Sequence, residues 1–188
     1  MKNGIRKREE NRGFEIEGKT IGLIGYGKTG KSFAKKLSGF NCNIIFCDIK
    51  TNLGDNYARE VKINELKESS DIISLHTNLN QSSRHIIDKQ FIDDCKKSFC
   101  LINTARGECI SNHDLIYGLE NDKLIGAGLD VLENENKDFE GIAVDQNLDK
   151  LKKFDNVILT PHIAGWSKES KVKLAQITVN KIKELLDL

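Results

Sequence analysis

Apolar positions along the chain fall into short runs separated by polar stretches, several of which carry helical spacing. Ile21 to Ile24 is a run rich in β-branched residues that stops at Gly25, Gly27 and Gly30. The segment that follows, Lys28 to Leu37, places Phe33, Ala34 and Leu37 on one helical face, and a second apolar run, Asn43 to Cys47, ends in Asp48. The loop from Ile49 to Tyr57 carries the turn formers Asn52, Gly54, Asp55 and Asn56. Residues 59–62 predict a short strand, and Asn64 predicts the N-cap of a helix through Glu68. Asp71 to His76 (DIISLH) and Phe99 to Asn103 (FCLIN) read as buried strands, with a helix over 88–95 between them. Ser111 with Asp114 marks the capped start of a helix to about Asn121, and Leu124 to Val131 reads as the next strand. Residues 133–155 are strongly polar and predict an exposed excursion with room for one short helix. Asn156 to Thr160 is a last strand, stopped by Pro161, the only proline. From Ser167 onward, Val172, Leu174, Ala175, Ile177, Val179, Ile182, Leu185 and Leu186 predict an amphipathic helix.

Strands alternating with helices predict an α/β fold in which a parallel sheet carries helices on both faces. The stretch from Thr20 to Asp48 narrows that to a Rossmann-type doubly wound sheet, because strand, Gly-x-Gly-x-x-Gly loop, helix, strand and terminal acid follow in the dinucleotide-binding order. Gly25 allows the tight turn, Gly27 lets the backbone approach a pyrophosphate, and Gly30 lets the helix pack closely. The amides of the first helical turn, at Lys28 and Thr29, then face the phosphates. Asp48, 18 positions after Gly30, can accept hydrogen bonds from both adenosine ribose hydroxyls and would repel a 2′-phosphate, which favours NAD over NADP.

In such sheets ligands sit beyond the carboxyl ends of the strands. Three motifs fall there: Asn103-Thr104-Ala105-Arg106-Gly107 after FCLIN, Asp130 to Glu135 after LIGAGL, and Thr160-Pro161-His162-Ile163-Ala164-Gly165 after NVIL. An arginine, carboxylates and a histidine would thus converge on one crevice.

Composition narrows the alternatives. A chain of 188 residues holds one good-sized domain, or one domain with an appendage. Its formal charge of +1 supplies no field for nucleic acid or an anionic membrane, and the basic start (Lys2, Arg6, Lys7, Arg8) is offset at once by Glu9 and Glu10. No apolar run approaches the roughly 18 residues of a membrane span and no signal-peptide pattern is present, so a cytoplasmic protein is expected. The five cysteines are odd in number without C-x-x-C spacing. Cys42, Cys47 and Cys100 lie in or beside apolar runs and are expected as buried reduced thiols. Cys109 is expected as a small packing residue, and no metal site is expected.

With the motifs GYGKTG, INTARG, GAGLDVLENE and TPHIAG in that order, the sequence resembles the NAD-dependent D-isomer-specific 2-hydroxyacid dehydrogenases, and among them the D-3-phosphoglycerate dehydrogenases of serine synthesis. The resemblance covers nearly the whole chain from about Gly13. It implies an oxidoreductase in which Arg106 binds the carboxylate and carbonyl of a 2-oxo acid, His162 is the general acid and base, and Glu135 is its partner. Five positions separate the family's aspartate from its glutamate, which selects Glu135 over Glu133. Asp130, Thr104, Ala105, Ala164, Gly165, Thr77 and Asn78 would line the cofactor site, the last two where the family usually has His-Thr-Pro in place of His76-Thr77-Asn78. His76 would be a structural residue of the cleft.

The chemistry suits those side chains. Hydride transfer at a hydroxyl-bearing carbon must be matched by proton transfer at its oxygen, and imidazole, with a reference pKa of about 6.5, exchanges protons near neutrality. A guanidinium fork matches a carboxylate bidentately.

In this family a substrate domain is assembled from an N-terminal segment and the last helix. The resemblance therefore predicts residues 1–19 as a connector, 20–165 as the NAD-binding domain, and 166–188 as a helix returning to a substrate domain that is mostly missing. A homodimer through the dinucleotide domain is implied as well. Two other functions fit the same residues: an NAD(H)-sensing binding module, as in the related transcriptional corepressors, and a non-catalytic dimerising fragment.

Overall fold

Thr20–Ile24 forms an interior strand, β1, of a seven-stranded parallel sheet. The computed structural model describes residues 8–9, 12–133, 135 and 146–186. The strands are β2 (Asn43–Cys47), β3 (Arg59–Glu60), β4 (Ile72–Leu75), β5 (Phe99–Asn103), β6 (Leu124–Leu129) and β7 (Val157–Leu159), in the spatial order β3-β2-β1-β4-β5-β6-β7. Every pairing is parallel. The order reverses between β1 and β4, which opens a crevice above their carboxyl ends.

The two faces are covered unequally. One carries Ile24, Ile45, Ile73, Leu75, Leu101, Ala127 and Leu129, buried beneath α2 (Ile63–Ser69), α3 (Lys89–Asp94), α4 (Asn112–Glu120) and α5 (Gln146–Leu151). These helices supply Leu66, Phe91, Ile92, Leu115, Leu119, Leu148 and Leu151 to a single core. The other face carries α1 (Lys28–Leu37), whose Ala34 and Leu37 pack on Ile21, Leu23, Ile44, Phe46 and Ile72. Beyond β4 the cover on this face thins: Ile102 is half-buried, and Ile125 and Ile158 are exposed. Helices therefore lie on both faces, as expected, with α1 covering only the β1–β2–β4 half of its side.

Local physics accounts for most boundaries. Asp88 caps α3 by accepting from the Phe91 N–H at 2.7 Å, and the Ser111 hydroxyl caps α4 by accepting from the Asp114 N–H at 3.1 Å. Asn64 does not cap α2: the N-cap is Lys62, and Asn64 lies inside the first turn. Starting the helix at Ile63 brings Leu66 to full burial, and that outweighs the cap. The third strand is two residues long, shorter than the four expected.

The polar stretch after Glu133 is also corrected in part. α5 is no exposed excursion, since Leu148 and Leu151 are buried against the α4 side of the core. Residues 136–145 lie outside the described residues, as do most of 1–11. Five thiols are reduced; Cys95 and Cys109 are buried, whereas Cys42, Cys47 and Cys100 are half-buried rather than buried as expected. Burial pushes the Cys47 thiol up to about 12. The last helix, α6 (Lys168–Leu185), starts at a reciprocal Ser167–Ser170 capping box and buries none of its described residues. No helix is long and apolar enough to cross a membrane among the described residues.

Candidate active site

The glycine loop has the geometry its sequence implies. Gly25 sits at φ +95°, and a Cβ there would lie 2.8 Å from the His76 carbonyl oxygen. A Cβ on Gly30 would meet the Gly25 carbonyl oxygen at 2.4 Å, so helix and loop close on each other only because both positions are glycine. Gly27 differs, for a Cβ there would meet nothing within 4 Å. It is the N-cap of α1, exposed together with Lys28 and Thr29, and no side chain caps the helix. An uncapped helix N-terminus with open space before it fits a pyrophosphate. At the end of β2, Asp48 Oδ2 accepts from the Tyr26 N–H at 2.7 Å and Oδ1 from the Lys50 N–H at 2.9 Å. These bonds fix the carboxylate's orientation while each oxygen keeps a second lone pair.

A cleft of about 590 Å³ opens above the carboxyl ends of the strands. Thr29, Ser32, Phe33 and Lys36 of α1 form one wall, and His162, Ala164, Gly165 and Trp166 face them across a floor of His76, Thr104 and Asp130. Ser32, Phe33, Lys36 and Trp166 were not among the residues expected at a site. Positions 29, 32, 33 and 36 share one helical face, so the periodicity that located α1 could have named them.

The histidine loop hangs on Asp130. This buried carboxylate accepts from the Thr160 hydroxyl at 2.5 Å and the Ile163 N–H at 2.8 Å on Oδ1, and from the Ala164 N–H at 2.8 Å on Oδ2. Burial alone would raise its pKa, but these three bonds and the adjacent His162 hold it below the usual carboxylate range. The Asp130 carbonyl takes the His162 N–H at 2.9 Å, and the histidine is held at φ +53°, a costly conformation for a residue with a Cβ. His162 Nδ1 lies 2.8 Å from Glu135 Oε2, whose Oε1 accepts from the Leu132 N–H at 2.7 Å.

The neighbouring Glu133 is committed elsewhere. Its Oε1 lies 3.0 Å from His85 Nε2 and its Oε2 accepts from the Asn112 N–H at 3.0 Å. Geometry thus separates the two glutamates, pairing Glu135 with the cleft histidine and Glu133 with the scaffold.

The turn after β5 is built by Asn103, which was noted only as part of its motif. Its buried side chain accepts from the Ala105 N–H and donates to the Arg106 carbonyl, both at 3.0 Å. Ala105 points into the core, whereas Thr104 reaches the cleft. Arg106 is exposed and does not line the main cleft; its Nη1 donates to the Ala105 carbonyl at 2.6 Å. Among the described residues no carboxylate forms an ion pair with it.

Thr77 and Asn78 follow β4 but stand outside the cleft lining. The Thr77 hydroxyl is 3.5 Å from the buried Cys109 Sγ, and the Asn78 carbonyl accepts from the Ser83 hydroxyl at 2.6 Å. His76, expected as a structural residue of the cleft, lines it with Nε2 3.1 Å from the Ser74 hydroxyl, and burial depresses its pKa to about 4, so it is neutral near pH 7. No group of three or more metal-ligating side chains occurs among the described residues.

The chain is similar to known proteins over nearly its whole length. Residues 1–164 match the model of the D-isomer specific 2-hydroxyacid dehydrogenase NAD binding domain. A D-specific alpha-keto acid dehydrogenase of Enterococcus faecium is 35% identical over 184 residues, covering 95% of this chain and 55% of that protein. A hydroxypyruvate reductase of Thermotoga maritima is 37% identical over 186 residues, covering 98% of this chain and 59% of that one. The NAD-complexed D-isomer specific 2-hydroxyacid dehydrogenase of Lactobacillus delbrueckii ssp. bulgaricus superposes with a TM-score of 0.83 at 30% identity, over 94% of this chain and 57% of that structure. The chain thus spans little more than half the length of these relatives.

Proposed function

The chain belongs to the D-isomer-specific 2-hydroxyacid dehydrogenases, whose NAD-binding domain it carries, and from that premise we propose that it is the NAD-binding and acid–base half of an enzyme interconverting a D-2-hydroxy acid and its 2-oxo acid. The observation that carries this reading is the His162–Glu135 pair, 2.8 Å apart, with His162 on the wall of the cleft that the dinucleotide loop opens onto.

NAD(H), when bound, accepts or supplies the hydride. His162 exchanges the substrate oxygen's proton through Nε2, because the bond from Nδ1–H to Glu135 keeps the proton on the other nitrogen. Glu135 stabilises the imidazolium formed during oxidation. Asp130 fixes the loop at an angle His162 would not adopt alone. Arg106, whose fork is tethered at Ala105 alone among the described residues, swings to bind the substrate carboxylate and polarise its carbonyl. Asp48 takes the adenosine ribose hydroxyls, and Thr104, Ala164 and Gly165 line the nicotinamide side.

The substrate is a small 2-oxo or 2-hydroxy acid. The relatives named above are an alpha-keto acid dehydrogenase and a hydroxypyruvate reductase, which supports an unphosphorylated 2-oxo acid more than the phosphoglycerate expected from overall resemblance. Residues 166–188 act by returning to a substrate domain, a role supported by the exposed apolar stripe of α6, and the dinucleotide domain forms a homodimer. That stripe also favours a second reading, an NADH-responsive binding module.

The test uses Trp166, the only tryptophan, which lines the cleft. Energy transfer from Trp166 to added NADH, saturable and weaker with NADPH, is expected. Turnover with hydroxypyruvate, glyoxylate, pyruvate and 3-phosphohydroxypyruvate then separates enzyme from module. If His162→Ala retained full turnover in an active preparation, the acid–base assignment would be wrong.

A further inference from the structure

Tyr26, between the first two glycines, serves the adenosine end of the site twice. Its backbone N–H donates to Asp48 Oδ2 at 2.7 Å. Its side chain is fully buried, stacked on Phe46 with ring centroids 3.8 Å apart, and its phenol donates to Asp55 Oδ1 at 2.8 Å. The same oxygen accepts from the Tyr57 N–H at 2.9 Å and the Ala58 N–H at 3.3 Å, closing the loop that runs from Asp48 to β3. That loop returns a donor to the cofactor-facing acid, the Lys50 N–H on Asp48 Oδ1. Asp55 Oδ2 lies 4.0 Å from Lys31 Nζ, and this ammonium also sits over the Tyr26 ring, 5.4 Å from its centroid. One residue of the glycine loop thus ties together Asp48, the loop behind it and a nearby cation.

A glycine-rich turn needs no aromatic residue at this position, so the phenol and its carboxylate call for another explanation. A 2′-phosphate on the adenosine ribose needs a mobile cation and room beside the acid at the end of β2. Here the loop is pinned by three bonds to one carboxylate oxygen, and the Lys31 ammonium faces the Asp55 carboxylate at 4.0 Å.

We propose that the Tyr26–Asp55 pair is a second determinant of cofactor choice, a positioning device that holds the ribose loop against Asp48 and keeps Lys31 from serving a 2′-phosphate. The inference rests on the dinucleotide reading of the site and deepens it. Removing Asp55 releases both the loop and the cation. Removing only the phenol hydroxyl loosens the loop while leaving Asp55 beside Lys31. The two changes therefore differ in their effect on NADPH.

The test titrates the full chain, its Asp55→Ala variant and its Tyr26→Phe variant with NADH, NADPH, ADP-ribose and NMNH by calorimetry. For Asp55→Ala, NADH affinity is expected to fall about fivefold and NADPH affinity to rise, shifting the ratio about tenfold, the scale of one charge pair gained or lost at a partly exposed site. For Tyr26→Phe, NADH and ADP-ribose are expected to weaken together by about threefold, the scale of one modest hydrogen bond, with NMNH unchanged because it lacks the adenosine half. A general loosening of the fold would weaken NMNH equally and would overturn the proposal, as would an unchanged NADPH:NADH ratio in Asp55→Ala. Asp55 is at the surface, so this variant stands if Tyr26→Phe fails to fold. A wild-type chain that binds neither dinucleotide overturns the dinucleotide reading and this inference together; wild-type NADH binding with unaltered variants overturns the inference alone.

Discussion

Gly107 and Leu132 approach so closely that a Cβ on Gly107 would lie 1.9 Å from the Leu132 carbonyl oxygen. Gly107 follows the candidate substrate arginine, and Leu132 donates its N–H to Glu135 at 2.7 Å. The contact therefore sets the distance between the arginine turn and the histidine–glutamate pair. Gly107→Ala must force two backbones apart, and is expected to cost about 3 kcal/mol, the upper range for overpacking. The measurement is the urea midpoint at pH 7.5. Loss of the hydrogen-bonded His162 imidazole proton in the NMR spectrum should accompany it. An unshifted midpoint would show that the two loops separate freely.

Asp130→Asn tests whether this carboxylate holds the histidine loop. The amide keeps one acceptor oxygen, but its NH₂ must then face either the Ala164 N–H or the Ile163 N–H, and one backbone donor loses its charged acceptor. A cost of about 1–3 kcal/mol is expected, with faster hydrogen exchange at residues 162–164 than elsewhere. Exchange rising evenly over the whole sheet would instead mark Asp130 as a general core residue with no particular hold on the loop.

His76 makes stability depend on pH in a window set by its two pKa values. Its folded value of about 4 lies below the roughly 6.5 of an unfolded imidazole, so between these limits the unfolded chain binds the extra proton. The contribution is complete above about pH 6.5 and is lost as pH falls toward 4, amounting to about 2 kcal/mol by pH 5. Asp71 and Asp130, both held below the ordinary carboxylate range, add acid sensitivity only below about pH 4. Urea midpoints at pH 7.5 and 5 should therefore differ in the wild type and differ much less in His76→Gln. Equal pH dependence in both proteins would mean that His76 titrates as an exposed residue.

How far these features could be read from the sequence depends on whether the physics is local. The runs at Ile21 and Ile72 announced buried strands because a parallel strand covered on both sides is apolar throughout. Ser111 announced α4 because a cap bonds three residues ahead. Leu148 and Leu151 escaped notice because two apolar residues in a polar stretch give no period, and only the α4 surface makes them core. The unequal cover of the sheet was illegible for the same reason: Ile102, Ile125 and Ile158 look like any strand residues until the register places them beyond α1. At the site, His162 and Glu135 were named from motif order, but the positive φ of the histidine and the grip of Asp130 depend on three distant hydrogen bonds. Gly107 lay within a motif, yet its neighbour 25 positions on appears only in three dimensions.

The last helix offers the plainest test of how the chain meets its surroundings. Ala175, Val179, Ile182 and Leu186 recur at i, i+4, i+7 and i+11, a face that normally seeks a partner, yet Val179 is 47% and Ile182 is 50% exposed. Side chains that touch nothing add no folding energy, but a stripe of them adds attraction between molecules. Val179→Lys with Ile182→Lys should leave the urea midpoint within about 0.5 kcal/mol of the wild type, as expected of surface changes. The same double change should shift sedimentation toward smaller species if the wild type self-associates through this face. A large drop in stability without any change in association would show instead that α6 packs on its own domain. The stripe would then belong to the core of this chain and not to a surface awaiting the rest of an enzyme.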